Sequence, residues 1–280
     1  LVDGFVQSYV DFYHLTHRAD PNQGEGGTAK IKTSFEDMVI LRDNLMGAEN
    51  CRRSGNTSGV YTAYNNLADV YAKKGDWKTS IFFHEKCLEV AQLTSDKKAE
   101  LDAINALGTV YQKMGDFSSA CTLHERQEDL ATMQDDTAEI GRANSELFKV
   151  YQYYGRVAET NAHSEEALAM FRKALSAAQK CDDARGTAAA NGAIGNIFVN
   201  DGNFQEGLPY LQEWVRISTD LGDSEGRCQS HSALALAYDS LGRSEKALGE
   251  LAMVHGISLQ TGDAPLQSQA ARSLGMLYSK

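Results

Sequence analysis

From Tyr64 to Cys87 the chain alternates apolar and polar positions at helical spacing. Leu67, Ala68 and Tyr71 fall on one helical face, and Gly75 then interrupts the pattern. Glycine takes the left-handed conformation that ends a helix at no steric cost. Asp76 follows directly, and its carboxylate suits the cap of a second helix. Trp77, Ile81, His84 and Cys87 with Leu88 mark the inner stripe of that helix. A single pair of this kind cannot bury its own apolar face and needs a copy of itself alongside.

The copies follow at a step of about 40 residues. Leu107, Gly108, Tyr111, Gly115, Asp116, Phe117, Ala120 and His124 repeat the order, and Leu147, Tyr151 and Gly155 begin it again. Further copies run from Ile194 through Gly195, Phe198, Gly202 and Phe204 to Leu211, and from Leu234 through Ala235, Tyr238 and Gly242 to Leu251. A half copy, Leu274, Gly275 and Tyr278, closes the chain. Roughly seven extra residues near Val157 to His163 break the step and predict a longer turn before Ser164. The reading is all-α: a right-handed α-solenoid of helix–turn–helix repeats. First helices are predicted over 59–74, 98–114, 138–154, 185–201, 225–241 and 264–280, and second helices over 76–93, 116–133, 164–180, 204–220 and 244–261.

Residues 59–280 are therefore expected to form an array of five repeats and a terminal half repeat. Residues 1–58 form a helical lead-in with a flexible loop at 20–34. Leu1 to Arg18 carries an aromatic stripe (Phe5, Tyr9, Phe12, Tyr13), and Phe35 to Arg53 fits the second helix of an incomplete first pair. The start at Leu1 points to a fragment. The half copy points to a continuation beyond Lys280 or to a partner over Leu274 and Tyr278.

The acidic pairs between repeats, Ser95-Asp96, Asp135-Asp136, Asp182-Asp183, Gly222-Asp223 and Gly262-Asp263, are expected to cap helices and meet their positive ends. Asn203 with Glu206 predicts a capping box. Ser164 with Glu165 and Glu166 predicts another helix start. Pro265 suits a first turn, whereas Pro209 predicts a distorted one.

A net charge of −11 argues against nucleic acid and against an anionic membrane surface. No apolar run is long enough to span a bilayer. The five cysteines are odd in number and form no C-x-x-C, which is reduced cytoplasmic usage rather than a disulfide framework. His84 and Cys87 share a face, but two ligands do not make a metal site. No phosphate loop, nucleophile elbow or zinc-protease motif occurs. The expectation is no enzyme, no cofactor and no metal.

The repeat resembles the tetratricopeptide repeat: Leu, Gly or Ala and Tyr on the first helix, Gly-Asp at the turn, then Ala and an aromatic on the second. Its long step is similar to the subclass that includes spindle-orientation and G-protein-modulator scaffolds. Within the family, Val60 to Gln92, Glu165 to Gln179 and Trp214 to Asp223 look most like its ciliary members. That resemblance implies a protein-interaction scaffold of motile cilia and flagella, in the axoneme, associated with axonemal dynein or its assembly and transport. The alternative it implies is a cytosolic adaptor gripping an extended peptide in a concave groove. Asn65, Asp69, Asn105, Thr109, Arg142, Glu146, Lys149 and Asn196 lie off the packing stripe and are the candidate groove. The basic clamp with which chaperone-binding members hold a carboxylate is not matched, because Asn65, Asp69, Ala106, Arg142 and Glu146 occupy its positions and only Arg142 is basic.

Overall fold

The computed structural model describes residues 35–279. The expected lead-in helix over Leu1 to Arg18 and the loop at 20–34 lie outside the described residues. Twelve helices and no strand occur among those described. They are α1 (Phe35–Arg53), α2 (Thr57–Lys73), α3 (Trp77–Thr94), α4 (Lys97–Met114), α5 (Phe117–Met133), α6 (Thr137–Thr160), α7 (Ser164–Lys180), α8 (Ala184–Asn200), α9 (Phe204–Asp220), α10 (Ser224–Ser240), α11 (Ser244–Thr261) and α12 (Ala264–Tyr278). The described residues divide into two compact units, one up to Leu123 and the other from His124.

Every turn is built the same way. One residue enters the left-handed region, as Gly115 does at φ +86°, and the next N–H returns to a carbonyl five residues back, as Asp116 does to Tyr111 at 3.0 Å. Ser95, Asp135, Ala162 and Asp182 take the left-handed role without being glycine. Where an acid follows the turn, it accepts from the backbone of the next helix: Asp96 from Ala99 N at 3.0 Å, Asp183 from Gly186 N at 2.9 Å and Asp263 from Leu266 N at 3.0 Å. The acidic pairs are therefore caps, as their position before each helix predicts.

In the first unit Leu67, Ala68 and Tyr71 of α2 close on Phe83 and Cys87 of α3, with Ala48 of α1 on the same core. Phe83 is fully buried and stacks on Tyr64 and Tyr71 with ring centroids 6.2 and 6.0 Å away. In the second unit α8 lies so close to α9 that a Cβ on Gly195 would stand 2.4 Å from the Leu211 side chain. Trp214, Ile217, Leu234 and Tyr238 carry the same core onward to α10.

The third copy departs from expectation. The seven extra residues are not in a turn. They lengthen the first helix of the pair, so that α6 has 24 residues where α2, α8 and α10 have 17. Gly155, placed by its spacing at a turn, is inside this helix, and an added Cβ would meet the Phe171 ring at 2.9–3.0 Å. The true turn is Asn161 to His163, with Ala162 at φ +59°. Seven residues fall within about 20° of two full turns, so the insertion keeps the same face inward. It raises the following helix by about 10 Å along α6. From there Lys180 of α7 reaches Glu128 at 2.7 Å and Lys173 reaches Glu125 at 3.5 Å.

Three start signals also resolve differently. Asn203 makes no side-chain cap, and Glu206 N donates instead to the Asn203 carbonyl at 3.1 Å, so there is no capping box. That i to i+3 bond tightens the first turn ahead of Pro209, which sits within an otherwise continuous α9. Ser164 is already helical, with His163 at the cap position, and its hydroxyl donates to Asp201 at 3.3 Å.

Candidate partner-binding face

The first helix of each pair has a packing residue followed by a small one that admits the second helix: Leu67 and Ala68, Leu107 and Gly108, Ile194 and Gly195, Leu234 and Ala235. Residues two before and two after the packing residue are four apart, about 40° from each other, on the side of the helix turned away from it. In the first unit these are Asn65 and Asp69 on α2 and Asn105 and Thr109 on α4. Asn65 donates to Asp69 at 3.4 Å, and the Thr109 hydroxyl donates to the Asn105 carbonyl at 2.9 Å. The Asn105 side-chain carbonyl is buried with no hydrogen-bond partner among the described residues.

In the second unit Arg142 and Lys149 are exposed on α6, and each is held by an acid three residues before it. Arg142 pairs with Glu139 at 3.1 Å and Lys149 with Glu146 at 2.7 Å. Asn196 is half-buried on α8. Because α7 reads its register from Tyr154 and Gly155, the positions on α6 that correspond to Asn65 and Asp69 are Gln152 and Arg156. Arg142, Glu146 and Lys149 lie on the first half of the helix, about two turns earlier.

Counting in this register exposes residues that a search for polar groups passes over. Two positions past Leu234 stands Leu236, and two past Leu274 stands Met276, with 55% and 62% of their surfaces exposed. Their signal was in the sequence, as apolar residues at a position that is polar in Asp69, Thr109 and Asn196.

The titratable groups inside the helix pairs are packing groups. Burial pushes the Cys87 thiol up to about 12, and the thiol donates to the Tyr61 carbonyl at 3.6 Å. Burial holds the His84 and His124 imidazoles below the usual histidine range. His124 Nδ1 lies 3.1 Å from Gln127 Oε1. Among the described residues no three His, Cys, Asp or Glu side chains cluster as metal ligands would. Among them also, no helix is long and apolar enough to cross a membrane.

A tetratricopeptide repeat family model matches residues 59–132. The chain is 21% identical over 279 residues to tetratricopeptide repeat protein 29 of Trypanosoma brucei brucei, covering 99% of this chain and 58% of that protein. It is 23% identical over 297 residues to tetratricopeptide repeat protein 29 of Homo sapiens, covering 100% of this chain and 62% of that protein. The chain thus spans about three-fifths of the length of these curated relatives. Among solved structures it is similar to BtubC from P. vanneervenii, with TM-score 0.46 and 15% identity over 81% of this chain and 92% of that one. Residues 59–132 thus match the tetratricopeptide repeat family, and left-handed turns of the same kind recur in the later helix pairs.

Proposed function

We propose that this chain is a non-catalytic protein-interaction scaffold of motile cilia and flagella, bound to axonemal dynein or engaged in its assembly or transport. The observation that supports the scaffold is similarity across essentially the whole chain to two tetratricopeptide repeat proteins of the same name from a trypanosome and a human. The stretches Val60 to Gln92 and Trp214 to Asp223 add the resemblance to ciliary members. In this reading residues 59–280 are the array, five repeats and a half, and residues 1–58 are its lead-in. The place of action is the cytoplasm and the axoneme. Affinity capture of the tagged protein from isolated flagella, read by mass spectrometry, should recover axonemal components. Recovery of the chain only outside the flagellar fraction would refute the placement.

A second reading, a cytosolic adaptor for an extended peptide, is favoured by Asn105. Its side-chain carbonyl has no partner among the described residues, and an asparagine offers an extended backbone both a donor and an acceptor. Unchanged affinity for every captured partner in an Asn65→Ala/Asn105→Ala variant would exclude this groove.

A further inference from the structure

The apolar rungs Leu236 and Met276 face a cleft within the second unit. The cleft, of 540 Å³, opens between α10 and α12 and has Ala235, Leu251 and Val254 among its lining residues. Ser232, Leu266 and Gln269 also line a second cleft, of 650 Å³, towards the starts of the same helices. The two together follow α10 from Glu225 to Asp239, about 21 Å at the rise of a helix. That length matches roughly six or seven residues of extended peptide.

Singly exposed apolar side chains are ordinary on a protein surface. Here two occupy the same rung of consecutive first helices and line one cleft, the arrangement expected of a binding site. The ionisable side chains along the cleft are one-sided. Glu225, Asp239 and Asp263 line it, and among the described residues no lysine or arginine does. Asp263 is engaged in capping α12, and Glu225 accepts from Gln229 at 3.1 Å. Neither contact brings a positive charge to the cleft.

We infer that this cleft takes a basic peptide segment of a partner protein, seating an apolar side chain between Leu236 and Met276 with lysine or arginine on either side. Charge selects this occupant over a second copy of the chain, because two copies each carry a net charge of −11 and repel. The inference rests on the scaffold reading and gives that surface its ligand chemistry, opposite in sign to an acidic-tail clamp.

The test is fluorescence anisotropy on the full chain with labelled decapeptides. One has a central Leu-Met pair flanked by lysine and arginine. The second replaces every lysine and arginine with glutamate, and the third replaces the Leu-Met pair with glycines. The first should bind, and the other two should bind at least about tenfold more weakly. Leu236→Lys/Met276→Lys should weaken the first peptide by a similar factor. Both positions are exposed, so the helical signal should be kept. Ser273→Phe, which fills the cleft without altering charge, should do the same. Equal binding of the basic and acidic peptides, or of the wild type and both variants, overturns the inference. So does sedimentation showing a dimer that Leu236→Lys dissolves, since the cleft would then hold a second copy. If the peptides fail while capture of axonemal partners persists, the cleft assignment falls and the scaffold reading stands.

Discussion

Replacing Gly155 with alanine measures whether the seven extra residues of the third copy are helix or turn. Alanine in a helix interior is worth roughly 0.5–1 kcal/mol over glycine. Gly141, on the same helix, has nothing within 4 Å of an added Cβ, so Gly141→Ala should stabilise by that amount. At Gly155 the new methyl would stand 2.9–3.0 Å from three atoms of the Phe171 ring, which is only 1% exposed and has little room to yield. Overpacking of this kind costs about 1–3 kcal/mol. Gly155→Ala should therefore destabilise by roughly 1–2 kcal/mol net. The decisive arm is the double-mutant cycle. Phe171→Ala alone should cost about 3–5 kcal/mol, but it removes the obstacle. In that background Gly155→Ala should become stabilising, a coupling of about 1–3 kcal/mol. Urea denaturation followed by circular dichroism at the helical band gives all four values. An equal loss from Gly155→Ala in both backgrounds would mean the cost lies in the backbone, as for a left-handed turn glycine. The helical reading of the insertion would then be wrong.

Burial depresses the His84 and His124 pKa values, so their contribution to stability is present above the ordinary histidine range and lost as pH falls through it. His84→Leu, the residue type of Leu211 and Leu251 at the same repeat position, should flatten that acid limb in urea titrations at different pH; an unchanged slope would count against it. Asp183→Ala removes the 2.9 Å bond to Gly186 N and should cost about 1 kcal/mol in the same assay. With its thiol raised to about 12, Cys87 should resist iodoacetamide at mildly alkaline pH in the folded chain and react at once in urea, as mass spectrometry of peptides would show. The folding stability linked to Cys87 should be full below the ordinary thiol range and decline as pH rises towards about 12.

The polar positions proposed for the groove can be counted locally. Asn65, Asp69, Asn105, Thr109 and Asn196 follow from counting two residues either side of a packing leucine or isoleucine. Gln152 and Arg156 could not be counted this way, because Leu147 and Tyr154 both head plausible stripes seven residues apart. Leu236 and Met276 were readable but apolar, so a search for polar groups passed over them. That the two line one cleft depends on how far α12 stands from α10, which no local pattern encodes.

The amino-acid order alone determined the repeat, the helix pairs, most of the left-handed turns and the aspartate caps. Each is settled by a few neighbouring residues through backbone sterics and short hydrogen bonds. It did not determine where the extra seven residues go. Glycine serves equally as a helix stop and as a small contact between helices, and a seven-residue shift leaves the helical face almost unchanged. Only the tertiary structure decides between them, because only there does Phe171 stand against Gly155 and make its missing side chain a packing requirement.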